Sequence, residues 1–259
     1  MKNKTNIFVL LFSIATTSLM AQELLPLSLR QKEELKKQSW VRETPFEPVK
    51  VKDMGNRISA LAVNPANASH FVVAPHQGGV WLTQNGGETY RELCTTLPSQ
   101  TITALAMNWQ SGTLAVATPY GLFVSTDNGK TVDFKGLAGS KHITAIYLSP
   151  SNPQEIVVGV LGNKYKTDEK RGIFKSSDGG KTWQQKLFVG TRTGISDIVT
   201  TPDGSTLLAT AWEINDSPWN SVPYGSNSAI YKSTDKGNTW TKITANNGFL
   251  KGNAIGKIG

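Results

Sequence analysis

Eight residues recur along this chain and constrain its fold more than any other feature. They read Ser176-Ser177-Asp178-Gly179-Gly180-Lys181-Thr182-Trp183 and again Ser233-Thr234-Asp235-Lys236-Gly237-Asn238-Thr239-Trp240. A third copy, Ser125-Thr126-Asp127-Asn128-Gly129-Lys130-Thr131-Val132, lacks only the final aromatic, and a fourth, Thr83-Gln84-Asn85-Gly86-Gly87-Glu88-Thr89-Tyr90, carries an amide in place of the acid. A short carboxylate or amide two residues before Gly is turn chemistry. Its oxygen accepts backbone N–H groups, and the Gly takes the positive φ that a tight hairpin needs. Ser/Thr before the turn and Thr-aromatic after it suit flanking strands. Each octapeptide therefore predicts a β-hairpin, and four copies predict a repeat architecture.

The text between the octapeptides is regular too. Ile58-Ser59-Ala60-Leu61 is echoed by Ile102-Thr103-Ala104-Leu105, Ile143-Thr144-Ala145-Ile146 and Ile195-Ser196-Asp197-Ile198, at spacings of 44, 41 and 52 residues. Alternating apolar and small residues give strand periodicity, and the spacing suits four-stranded units. After each of these strands comes a turn (Asn64-Pro65, Gln110-Ser111-Gly112, Ser149-Pro150, Pro202-Asp203-Gly204), then a second strand, a third that ends at the octapeptide, and a fourth that leaves it. A Gly opens the third strand at Gly79, Gly121 and Gly172, which predicts close backbone approach there. The expected fold is all-β: a β-propeller with four four-stranded blades, over about 55–97, 98–138, 139–190 and 191–246.

The octapeptide resembles the Asp-box, or BNR repeat, of sialidases, sortilin-type receptors, xyloglucan-degrading glycosidases and photosystem II assembly factors, and the likeness runs over residues 55–259. The resemblance implies a propeller in which the box is a structural turn at the blade rim, away from any active centre. The structural set is then Ser125, Asp127, Gly129, Ser176, Asp178, Gly180, Trp183, Ser233, Asp235, Gly237 and Trp240. Gly252-Asn253-Ala254-Ile255-Gly256-Lys257-Ile258-Gly259 is similar to the segment from Gly55 to Ser59 and reads as the start of a fifth blade. The expectation is the N-terminal fragment of a larger propeller. Its first and last sheets would be left open, and the remaining blades of the full-length chain would be its natural partners.

Met1 to Lys4 is basic, Ile7 to Ala15 is apolar, and Leu19-Met20-Ala21 precedes Gln22. This is the pattern of a secretory leader over 1–21, cut near Ala21, and it predicts a secreted or periplasmic protein with no stable membrane span. Residues 22–54 form an N-terminal extension with prolines at 26, 45 and 48. Loss of Lys2 and Lys4 with the leader lowers the formal charge from +8 to +6. The basic residues, among them Lys130, Lys175, Lys181, Lys232 and Lys236, are scattered around the turns and read as a solvated surface, not a nucleic-acid site. Cys94 is the only cysteine, so no internal disulfide forms, and it reads as a buried thiol. His70, His76 and His142 share no metal-ligand spacing, so neither metal nor cofactor is expected.

Strand order places the octapeptides at one end of the blades and the second-to-third connections at the other. Those connections are short in the first two blades (Pro75 to Gly78, and Pro119-Tyr120) and long in the others. The long ones carry Tyr165, Asn215, Asp216, Trp219 and Tyr224. Flat rings beside amides and carboxylates suit a carbohydrate or protein ligand. Glycoside hydrolysis needs two opposed carboxyl groups. Asp197, which replaces Ala in an inner strand, and Glu213 are the weak candidates, with Asp53, Asp168, Glu169 and Asp216 near the same end. The sialidase Arg-Ile-Pro is absent, since Ser59 follows Arg57-Ile58. Where xyloglucan-degrading relatives place a catalytic Asp, this chain has His76 before Gln77-Gly78-Gly79. The expected role is a recognition scaffold within a larger extracellular protein. The alternative is a glycoside hydrolase with part of its active site beyond Gly259.

Overall fold

The computed structural model describes residues 57–139, 142–216, 221–222 and 224–243. The segments read above as a leader, an N-terminal extension and the start of a fifth blade lie outside the described residues. All regular structure among the described residues is β, in four four-stranded antiparallel sheets and one small hairpin. Blade 1 is β1 (Ile58–Asn64), β2 (Asn67–Pro75), β3 (Val80–Thr83) and β4 (Arg91–Leu93). Blade 2 is β5 (Ala104–Asn108), β6 (Thr113–Thr118), β7 (Gly121–Ser125) and β8 (Asp133–Phe134). Blade 3 is β9 (Ile143–Leu148), β10 (Ile156–Val160), β11 (Gly172–Ser176) and β12 (Gln184–Leu187). Blade 4 is β13 (Thr193–Thr200), β14 (Leu207–Glu213), β17 (Ala229–Ser233) and β18 (Thr241–Lys242), with β15 (Asn215–Asp216) and β16 (Ser221–Val222) as a hairpin between its second and third strands. That hairpin has no counterpart in the other blades.

Each sheet keeps its strands in chain order, and the first strands β1, β5, β9 and β13 touch in succession. The result is a row of blades around an inner line of first strands: part of a β-propeller. The core is not within a blade but between blades. Val72, Ala74, Val80 and Leu82 of blade 1 meet Leu114, Val116 and Phe123 of blade 2. Ala115, Leu122 and Val124 on the far side of blade 2 meet Ile156 and Val158. Tyr147, Val157 and Ile173 of blade 3 meet Ile195, Leu207, Ala209 and Tyr231 of blade 4. Strand alternation produces this, because successive residues face opposite neighbours.

The recurring Ile-Ser/Thr pair marks a register shift in the first strand of blades 1, 3 and 4, between Ile58 and Ala60, opposite Gly159/Val160, and between Ile195 and Asp197. A bulge lets a small hydroxyl turn inward at that step. Thr144 uses it to donate to the carbonyl of Ile195 in the next blade at 2.7 Å.

The octapeptides are hairpin tips with one repeated network. In blade 3, Ser176 Oγ accepts the N–H of Gly180 at 2.8 Å and donates to Asp178 Oδ1 at 2.8 Å. Asp178 then accepts both the N–H and the hydroxyl of Thr182, at 2.9 and 2.6 Å. Ser125-Asp127-Thr131 and Ser233-Asp235-Thr239 repeat it. Asn85 substitutes in blade 1 by accepting the Thr89 N–H and donating its own amide to the Thr89 hydroxyl. The fourth and fifth residues both have positive φ, including the non-glycines Asn128 and Lys236 at 60° and 58°.

The tips of blades 2, 3 and 4 also lean on the preceding blade. Gly129 O accepts the Cys94 N–H, Trp183 Nε1 donates to Lys135 O, and Lys175 Nζ donates to Lys236 O and Asn238 Oδ1. Lys175 is thereby a correction to the solvated reading: its side chain is buried, 3% exposed, and stitches blade 3 to blade 4. Cys94 is buried as well, and burial with the nearby Asp127 pushes its thiol up to about 12, so it stays protonated and unreactive at neutral pH.

The octapeptide acids set an acid limit. Burial pushes Asp235 up, but the bonds from Thr239 and Ser233 outweigh it and hold the group at about 2. The bonds from Thr182 and Ser176 hold Asp178 below the ordinary range, and in Asp127 those from Thr131 and Ser125 outweigh burial. A carboxylate depressed in the fold adds stability that is complete above the unfolded value of about 4 and is lost as the pH falls below it. Thermal melts between about pH 5 and 2 are therefore expected to fall steeply below about pH 4. In Asp235→Asn the slope there should be shallower, and an unchanged slope would show that the octapeptide acids do not set it.

Candidate functional site

The end opposite the octapeptides is formed by the second-to-third connections and the links between blades. In blade 1, Gly78 and Gly79 donate their N–H groups to the Gln100 carbonyl at 3.1 and 3.2 Å, tying the connection to the blade 1–2 link. His76 sits beside them, its N–H on Arg57 O at 2.9 Å and its Nδ1 3.2 Å from Ser59 Oγ. In blade 2, Thr118 Oγ1 accepts the Tyr120 N–H at 3.1 Å, shaping a two-residue turn that leaves Tyr120 44% exposed.

The blade 3 connection is organised from within by Arg171, which is fully buried. Its guanidinium donates to the carbonyls of Leu161, Asn163 and Lys166, so the chain wraps around it. Burial lowers the Arg171 pKa, and Asp168 opposes that shift. Asn163 Oδ1 accepts the Tyr165 N–H, Asp168 Oδ1 accepts the Lys170 N–H, and the Asp168 N–H reaches Thr191 O. These bonds hold up Tyr165, 60% exposed, with Lys164 Nζ 5.7 Å from its ring centre.

In blade 4, Glu213 closes the base of its own loop. Its N–H donates to Ser228 Oγ, and its Oε2 accepts the Asn227 N–H, both at 2.9 Å. Asn215 and Asp216 lie in β15, and Tyr224 follows the hairpin with 54% of its surface exposed. Trp219 lies outside the described residues. Asp197 stands in the bulge of β13, half-buried, and its Oδ1 accepts the Ile198 N–H at 2.8 Å.

Three tyrosines thus occupy equivalent connections on three successive blades: Tyr120, Tyr165 and Tyr224. Tyr120 is not among the sequence candidates, because its connection is too short to suggest a loop. The signal was its place in the repeat, beside the two longer connections. Among the described residues no group of three or more His, Cys, Asp or Glu side chains could hold a metal ion.

No protein-family model matches this sequence, and no curated protein sequence matches it. Solved structures do match in shape. The GH74 enzyme of Niastella koreensis aligns at a TM-score of 0.55 and 24% identity over 74% of this chain. The GH74 xyloglucanase of Xanthomonas campestris aligns at 0.54 and 20% over 77%. The matched part is 30% of the first of those proteins and 32% of the second, about a third of their length. At these identities the likeness shows the fold, a partial β-propeller.

Proposed function

We propose that this chain is an exported Asp-box propeller that recognises a polysaccharide across the end opposite its octapeptide turns. The observation that carries this is the succession Tyr120, Tyr165, Tyr224, one exposed tyrosine on each of blades 2, 3 and 4 at the end opposite the octapeptides. Sugar rings stack on flat aromatic faces, and a line of such faces set by a repeat suits a ligand that is itself a repeat. The bonds from Thr118 and Asn163 to the backbone of Tyr120 and Tyr165 hold the first two positions before any ligand arrives, which limits the ordering cost of binding. The fold shared with a xyloglucanase makes xyloglucan the first probe.

The test is affinity electrophoresis and titration calorimetry on soluble xyloglucan, mixed-linkage β-glucan and a charged control glycan. Each Tyr→Ala change is expected to cost about 1 kcal/mol, roughly fivefold in affinity, and the triple change should abolish binding. Trp219→Ala tests the neighbouring loop in the same way. Glycan binding unaffected by the triple change would end this reading.

The shape shared with the GH74 enzymes favours one second reading, glycoside hydrolysis. Release of reducing ends that disappears in Asp197→Asn or Glu213→Gln would establish it. Glu213→Gln keeps an oxygen for the Asn227 N–H, so lost turnover with an intact fold would point to acid–base work rather than to loop support.

A further inference from the structure

The three tyrosines differ in their neighbours. Tyr120 and Tyr224 each stand between a proline and a glycine, whereas Tyr165 stands between Lys164 and Lys166. Asn163-Lys164-Tyr165-Lys166 is a tight turn in which the Lys166 N–H donates to Asn163 O at 3.2 Å and Asn163 Oδ1 accepts the Tyr165 N–H at 3.0 Å. Lys164, Tyr165 and Lys166 are all exposed on it. The turn is clamped from beneath. Arg171 Nη2 donates to both of its ends, Asn163 O at 2.6 Å and Lys166 O at 3.0 Å. Gln185 Nε2 fixes the returning chain at Glu169 O and Arg171 O, 2.9 and 2.7 Å away. Backbone bonded in this way is already ordered when a ligand arrives, so the side chains on it select more than they adapt.

The charge on this connection is uneven. Lys164, Lys166 and Lys170 have no carboxylate within ion-pair distance among the described residues. Of the two nearby acids, Asp168 already serves the loop: its Oδ1 accepts the Lys170 N–H, and its charge offsets the burial of Arg171. Three exposed ammonium groups then face the exposed Glu169 alone. Lys164 Nζ lies 5.7 Å from the Tyr165 ring centre, so a positive charge stands beside any sugar that stacks on that ring. A tyrosine face serves neutral and acidic sugars alike. Unpaired ammonium groups next to it favour the acidic one, because opposite charges add Coulomb attraction to the hydrogen bond.

We propose, resting on the polysaccharide reading above, that the 163–166 turn is a subsite for an anionic sugar unit of that polysaccharide. The sugar ring stacks on Tyr165, and its carboxylate or sulfate pairs with Lys164 and Lys166. The reading is thereby narrowed: of the glycans named above, the charged one binds tightest. Tyr120 and Tyr224, with uncharged neighbours, make no such demand on the units they meet.

Titration calorimetry of the full chain on polygalacturonate and on its methyl-esterified form tests this, since the two share a backbone and differ in charge. A sulfated galactan and its desulfated form make the same comparison for sulfate. In at least one pair the charged form is expected to bind about tenfold tighter at low salt, with the gap narrowing as salt is added. Lys164→Gln combined with Lys166→Gln should close the gap, and Tyr165→Ala should weaken both forms. Lys130→Gln combined with Lys181→Gln removes the same charge from exposed positions at the octapeptide end and should leave the gap open. Circular dichroism checks that each variant is folded. A gap that survives the loss of Lys164 and Lys166, or that closes equally in the octapeptide variant, overturns the subsite. Equal binding of charged and neutral forms through the tyrosines overturns it while the polysaccharide reading stands, and a chain that binds no glycan of either kind ends both.

Discussion

Gly172→Ala is expected to cost about 3–5 kcal/mol, roughly half the stability of an ordinary domain. Gly172 opens β11 at φ 110°, a conformation that side-chain-bearing residues rarely adopt. A Cβ there would fall on the Leu187 carbonyl oxygen of β12, a backbone atom that cannot swing aside. Gly121 repeats the arrangement in blade 2, where φ is 127° and a Cβ would lie 2.5 Å from the Gly136 carbonyl oxygen. Gly190 is the control. Its added Cβ would meet only Thr193 Oγ1 at 3.6 Å, so Gly190→Ala should stay within about 0.5 kcal/mol of the parent. The measurement is the urea midpoint of the three proteins at equal slope. A Gly172→Ala cost near that of Gly190→Ala would mean that the third and fourth strands do not approach as closely as described.

That glycine was legible in the sequence as a repeated letter, and its reason is local: two strands of one hairpin. The same holds for the octapeptides, whose Ser, Asp and Thr satisfy each other within eight residues. Short-range chemistry of this kind needs no knowledge of neighbours. Arg171 and Lys175 were not legible for the opposite reason. Both are long cations next to turns, where a solvated reading is the natural one. Arg171 is buried because a ten-residue connection closes over it, supplying the carbonyls of Leu161, Asn163 and Lys166. Lys175 is buried because another blade arrives. The candidate site shows the same division. Tyr165 and Tyr224 were visible as loop aromatics, but the exposure of Tyr120 in its two-residue turn needed the strands to be placed.

Lys175 therefore gives the sharpest test of how the blades are coupled. Its ammonium lies 2.9 Å from Lys236 O, 3.1 Å from Asn238 Oδ1 and 3.8 Å from Glu155 Oε1. Glu155 Oε2 is buried and has no hydrogen bond of its own. Lys175→Ala removes the ammonium that faces that carboxylate and strips two acceptors of their donor, so a loss of about 3 kcal/mol is expected. Removing one member of a buried pair costs more than replacing both, and Lys175→Met with Glu155→Met should regain most of the loss. The break should be directional as well. Blade 4 is joined to blade 3 through this lysine, the Thr144–Ile195 bond and the apolar layer around Val157 and Leu207. Weakening the polar seam should let blade 4 open before the others. Hydrogen exchange in Lys175→Ala is expected to rise in β14 and β17 while β6 and β7 keep their protection. Uniform loss of protection across all blades would show instead that the array melts as one unit and that the lysine is no seam.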